Sequence, residues 1–185
     1  MVEQPSQAAA SGAHLGDIDI RPIDAQDLAA ISALHADAFG PGRFARSAYR
    51  VREGGVDVSA HCRAGWRGGE LIGAVTMTAV AIDETDTVHW LLGPLAVRAD
   101  SNSKGLGRKL VQEALTSVGD ASATATVVLV GDLEYYGRLG FEAVPRGEIV
   151  LPGPVDPQRL LIWRGGDGAR AIPAGLVRPI GRDLG

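Results

Sequence analysis

Residues 91–115 constrain the fold more than any other stretch. Leu91 to Val97 is mostly apolar, a short polar turn follows, and beyond Gly107 apolar residues recur at Leu110, Val111, Ala114, Leu115 and Val118. The change to the spacing of one helical face predicts a strand, a turn and a helix, which Gly119 then stops. The helix therefore opens inside a Gly-rich loop. A helix start presents unpaired backbone N–H groups and the positive end of the macrodipole, so it attracts a phosphate or pyrophosphate. Gly105 and Gly107 let a ligand approach that backbone closely.

Charge points the same way. The chain's two lysines, Lys104 and Lys109, both lie in this turn and the first turn of its helix, beside Arg108, which makes an anion the natural partner. A dinucleotide fingerprint would need a third glycine where Leu110 stands, and a P-loop would end in Gly-Lys-Ser/Thr; neither is present.

Leu95-Ala96-Val97 followed by Asn102-Ser103-Lys104-Gly105-Leu106-Gly107 resembles the GNAT superfamily of acyl-CoA-dependent N-acetyltransferases, whose loop reads Gln/Arg-x-x-Gly-x-Gly/Ala after a Leu-x-Val strand end. Asn102 departs from the usual Gln or Arg and is shorter, but the backbone cradle does not depend on it. A second signature, Tyr-x-x-x-Gly-Phe, stands as Tyr136-Gly137-Arg138-Leu139-Gly140-Phe141, and two matches in the right order are far more specific than one. Leu92 to Val97 and Gly131 to Phe141 are most similar to the bacterial predicted-acetyltransferase branch. The resemblance implies that the N–H groups of Ser103, Lys104, Gly105, Leu106, Gly107 and Arg108, with Asn102, bind the pyrophosphate of coenzyme A. It also implies that the backbone of Leu95, Ala96 and Val97 pairs with the pantetheine arm like an added strand.

The same resemblance implies an α/β (α+β) GNAT fold over residues 17–163. Its mixed, mostly antiparallel sheet would have six to seven strands, a splayed central parallel pair and about four flanking helices. The implied activity is transfer of acetyl from acetyl-CoA to a primary amine by direct attack, the acceptor being a small molecule. Tyr136 is the implied general acid for the departing thiolate, since it stands four residues before Gly140 and Tyr135 does not. The proton acceptor stays open between His89, Glu84 and a chain of water. Two other readings remain, a silent acyl-CoA-binding sensor or scaffold and an acetyltransferase of protein amines.

At 185 residues and 45% apolar, the chain fits one domain with a proper core. Residues 1–16 read as a flexible tail, and residues 164–185, rich in Gly, Arg and Pro, as an unassigned extension. A net charge of −4 argues against general affinity for nucleic acid or anionic membranes. Cys62 has no cysteine to pair with and no partner at metal-ligand spacing, so neither a disulfide nor a metal is expected. No apolar run approaches a membrane span and no signal peptide opens the chain, so the expected setting is cytoplasmic, as a monomer or homodimer.

Elsewhere, Ile18, Ile20 and Ile23 predict a strand, and Asp24 with Asp27 caps a helix whose apolar face carries Leu28, Ile31, Leu34 and Ala38. His35 shares that face and reads as a core or boundary histidine. Arg43, Arg46 and Arg50 form a basic side, either a solvated face or, as the resemblance implies, a hold for an acidic acceptor. Alternation from Val56 to Ala64 predicts a strand with Cys62 inward and His61 exposed, followed by a turn over Gly65 to Gly69 and a strand over Leu71 to Ile82. Val88 to Val97 is the strand delivering the loop, with Gly93-Pro94 marking an edge or bulge. Ala123 to Val130 suits a parallel strand buried on both faces, a short helix capped by Asp132 carries Tyr135 and Tyr136, and Phe141 to Val144 and Arg159 to Trp163 close the sheet.

Overall fold

A computed structural model describes residues 15–40, 51, 58–82, 87–101, 103–166 and 171–180. Ten strands follow one another among the described residues: β1 (Asp19–Pro22), β2 (Arg63–Arg67), β3 (Glu70–Ala81), β4 (His89–Val97), β5 (Thr126–Val130), β6 (Glu142–Ala143), β7 (Ile149–Val150), β8 (Leu160–Arg164), β9 (Gly175–Leu176) and β10 (Arg178–Pro179). Three α-helices accompany them among the described residues, α1 (Leu28–Phe39), α2 (Leu106–Ala121) and α3 (Leu133–Tyr136). The main sheet has eight strands in the order β1-β2-β3-β4-β5-β8-β6, with β10 added on β3. Every pairing in it is antiparallel except β4 with β5. The eighth strand comes from the C-terminal extension, which the sequence left unassigned; β7 and β9 form a separate parallel pair.

Alternation along β4 and β5 sorts their side chains into two cores. Trp90, Leu92, Val127 and Leu129 pack with α2 and with Ile31 and Leu34 of α1. Leu91 and Val128 pack instead with Val80, Ile82, Leu160, Ile162 and Val177. Leu106, Leu110, Val111, Ala114, Leu115 and Val118 are all buried on α2, the face that the spacing predicted. Burial of each larger aliphatic side chain contributes about 1.5–3 kcal/mol, so this face anchors the helix firmly. Gly65 and Gly73 allow the close approach: a Cβ at 73 would lie 3.0 Å from Leu106 Cδ2 and 3.1 Å from Leu110 Cδ1.

The region before β3 differs from the expectation. Residues 58–62 are not strand; β2 begins at Arg63 and includes Gly65, Trp66 and Arg67. Gly68 and Gly69 both have positive φ, 57° and 83°, so the hairpin turns on these two residues and pairs Arg67 with Glu70. The earlier alternation is spent on a turn in which the Cys62 N–H donates to the Ser59 carbonyl. His61 is consequently buried rather than exposed, its ring edge on Trp90 at 4.5 Å and its Nδ1 2.8 Å from Ser117 Oγ on α2. Cys62 is buried in the core, as expected.

Candidate functional site

The parallel pair opens where the loop begins. β4 and β5 are in register only at Trp90 with Val127 and Leu91 with Val128. Beyond that point β4 stays paired to β3 through Leu95, Ala96 and Val97, while β5 stays paired to β8. One backbone edge of β4 therefore faces a gap, which is where an extended chain could add as a strand. Gly93-Pro94 lies in a bulge, one residue extra against β3, and Thr76 Oγ1 donates to the Gly93 carbonyl at 2.6 Å. This is the irregularity that the proline predicted.

At the end of β4 the chain turns through residues 99–101 into α2, with Gly105 as N-cap at φ +89°. A side chain at 105 would be strained in that left-handed conformation. The Leu106 N–H is spent on Ser103 and the Lys109 N–H on Gly105, whereas those of Gly107 and Arg108 have no acceptor among the described residues. Two free donors at a helix start are an anion site in the making. Arg108 is exposed at its edge, but Lys109 turns its charge to Glu113 at 2.9 Å. Asn102, Glu84 and the Arg43, Arg46 and Arg50 side lie outside the described residues.

A residue that sequence reading placed in a turn braces this loop. Arg67, at the end of β2, donates through Nη1 to the Ser101 carbonyl at 2.8 Å and through Nη2 to Ser103 Oγ at 3.1 Å. Ser103 is buried and its hydroxyl donates to the Ser101 carbonyl at 2.9 Å. Arg98 ties the preceding residues by donating to Asp100 and to Glu70 of β3. Position 67 could have been found only from the Gly68-Gly69 hairpin, which fixes where β2 ends.

Across the gap stand the two tyrosines of α3. Tyr136 packs edge-on against Phe141 at 5.6 Å and Tyr135 at 4.8 Å, and burial, helped by nearby Tyr135 and Asp132, pushes its phenol up to about 12. Gly131, at the end of β5, leaves room for that ring: a Cβ there would lie 2.4 Å from Tyr136 Cε2. Tyr135 is 38% exposed and reaches α2, its hydroxyl 3.0 Å from the point that a Gly107 Cβ would occupy. Leu95 and Val97 come within 3.6 Å of the same point. The structure thus gathers Leu95, Val97, Gly107 and Tyr135 around one spot.

His89 is not at that gap's open end. It begins β4, before the parallel register, and is buried with its Nδ1 2.6 Å from Thr126 Oγ1, so it does not present itself to a cleft as its alternation with Leu91 suggested. Among the described residues no group of His, Cys, Asp and Glu could hold a metal ion, and no helix is long and apolar enough to cross a membrane.

The model of the acetyltransferase (GNAT) family matches residues 28–141. The uncharacterized N-acetyltransferase YhbS of Escherichia coli K12 is 31% identical over 157 residues, covering 84% of this chain and 90% of its own. The crystal structure of Escherichia coli YhbS in complex with CoA superposes with a TM-score of 0.74 at 27% identity, over 89% of this chain and 90% of that one. A GNAT family acetyltransferase from Brucella melitensis in complex with acetyl-CoA gives 0.56 at 27% identity, over 80% and 96%.

Proposed function

The chain belongs to the GNAT acetyltransferase family and is an N-acetyltransferase; from that premise we propose that it moves acetyl from acetyl-CoA to a primary amine of a small molecule by direct attack. The observation that carries this reading is the pairing of an open β4 edge with unsatisfied N–H groups at the start of α2. The pantetheine arm lies along Leu95, Ala96 and Val97, and the pyrophosphate on Ser103, Lys104, Gly105, Leu106, Gly107 and Arg108, with Asn102 beside them. The YhbS and Brucella melitensis structures hold CoA and acetyl-CoA, which supports the assignment.

In the reaction the amine nitrogen forms a bond to the acetyl carbonyl carbon, the C–S bond breaks, and coenzyme A leaves as thiolate. An amine with pKa near ~10 must first lose a proton, and we assign that step to water reaching the gap rather than to the buried His89. Tyr136 then protonates the thiolate and regains a proton from the nitrogen, which sheds one as the amide forms. With its phenol pushed up to about 12, Tyr136 holds its proton at every working pH, so giving it to a thiolate of ordinary pKa ~8.5 runs uphill and is drawn forward by the proton that the nitrogen returns. Acetyl-CoA consumption against a panel of small amines, with lysine-containing and free N-terminal peptides alongside, tests the reading. Turnover confined to peptides would reject the small acceptor, and no turnover with any amine would reject the transfer.

A further inference from the structure

Tyr135 has no place in the scheme so far, yet its hydroxyl reaches the first turn of α2. It lies 3.0 Å from the point where a Gly107 side chain would begin, between Leu95 and Val97, which approach that point to 3.6 Å. No described residue hydrogen-bonds the hydroxyl, and the neighbouring Gly107 and Arg108 N–H groups are equally without acceptors. Three donors in this neighbourhood thus have no acceptor among the described residues. The side chains of Leu95 and Val97 border the same spot, and an anionic oxygen there would accept charge-assisted hydrogen bonds. The ring is fixed from behind by its edge contact with Tyr136 at 4.8 Å, so little side-chain freedom remains to be lost on binding. Arg108 lies near enough for its charge to act on the phenol, adding to the positive surroundings.

We propose that the Tyr135 hydroxyl donates to a phosphate oxygen of coenzyme A at the first turn of α2, so that Tyr135 governs co-substrate affinity while Tyr136 governs rate. This rests on the loop reading above and adds to it a side chain from across the gap. The two adjacent tyrosines then divide the work because a helix turns about 100° per residue, sending one hydroxyl to the loop and keeping the other ring against Gly131. It also gives Gly107 a reason beyond helix start: a Cβ there would displace the hydroxyl.

Calorimetric titration of CoA into the parent, Tyr135→Phe and Tyr136→Phe separates the possibilities. Because phenylalanine keeps the ring contacts, both variants should fold, which melting temperature checks. A hydrogen bond to a charged group is worth on the order of tenfold in affinity, so Tyr135→Phe should weaken CoA about that much and Tyr136→Phe by less than about twofold. In Tyr135→Phe, a further Gly107→Ala should cost less affinity than it does in the parent, since no hydroxyl remains for the new Cβ to displace. Failure of the parent to bind CoA would reject the loop reading itself. Parent binding with Tyr135→Phe unchanged or tighter, equal losses in both tyrosine variants, or an additive Gly107→Ala effect would each overturn the role of Tyr135 and leave the loop reading standing.

Discussion

Gly131 and Tyr136 are fitted to one another: a methyl group at 131 would lie 2.4 Å from Tyr136 Cε2, 2.8 Å from Cδ2, and 2.8 Å from Leu129 Cδ1. Leu129 is almost wholly buried while Tyr136 is only partly so, and the tyrosine ring is the one freer to move. If Tyr136 is the general acid, Gly131→Ala should lower kcat without touching the coenzyme loop. Misplacing a reacting group by ~1 Å can cost ~10²-fold. The expected result is a fall in kcat of at least tenfold with the KM for acetyl-CoA changed by less than about threefold. A normal kcat would show that the ring position is not critical.

Tyr136→Phe should itself lower kcat by at least tenfold, since general acid catalysis typically contributes ~10²–10⁴. The pH behaviour provides a separate check. Burial raises the folded phenol to about 12 from an ordinary value of 10, so the folded state holds the proton more tightly than the unfolded one. That contribution to stability is fully present below pH 10 and is lost as pH rises towards 12. Melting temperature in the parent should therefore fall across that window, and less steeply in Tyr136→Phe. In the accessible range below pH 10, no alkaline limb of the rate profile should come from this group.

The brace from β2 gives a prediction about binding rather than chemistry. Arg67 spans Ser101 and Ser103 with two nitrogens, so Arg67→Met frees the loop at both points. Each hydrogen bond contributes about 0.5–1.5 kcal/mol, and a looser cradle must be ordered again at every binding event. The KM for acetyl-CoA should rise about fivefold to tenfold with kcat and the KM for the amine nearly unchanged. Arg67→Lys should recover only part of this, because an ammonium lacks the planar fork that reaches both oxygens. A parallel rise in both KM values would indicate general damage instead.

Legibility in the sequence followed how local the determining forces are. The helix after the loop was readable because its apolar face repeats at 3.6 residues and all six predicted or flanking core positions, Leu106 to Val118, are buried. Gly93-Pro94 announced a bulge because a proline cannot donate to a ladder. By contrast, the alternation over residues 58–62 was misleading, since Gly68-Gly69 fixes the hairpin register and starts β2 at Arg63, while residues 56 and 57 lie outside the described residues. Arg67 and Ser103 meet across 36 residues, and Tyr135 reaches Gly107 from the far side of the gap; nothing local encodes either meeting. The pairing of Arg178 and Pro179 with Ala81 and Val80 was equally silent, because a two-residue strand carries no period to detect.

His61 supplies a last prediction, one in acid rather than alkali. Its ring is wedged between Trp90 and Ser117, and burial first, then the nearby Arg63 charge, lowers its pKa from the ordinary 6.5. The unfolded chain therefore binds a proton that the folded chain resists. The associated stability is complete above the ordinary value and is lost as pH falls below it. Asp27, buried and held by Arg21 at 2.8 Å, also loses stability in acid, but its carboxyl is lowered from 3.8, so its window lies a good deal further down. The two can be told apart by where melting temperature begins to drop. His61→Gln keeps a donor and an acceptor for Ser117 but cannot charge, so its melting temperature should be lower than the parent's at pH 8, through lost packing on Trp90, and flatter between about pH 7 and pH 5. At a typical 2–4 °C per kcal/mol for a chain of this size, a difference in slope of even a few tenths of a kcal/mol is resolvable. Equal slopes in the two proteins over that window would mean that His61 gains a proton in the fold as readily as it does unfolded.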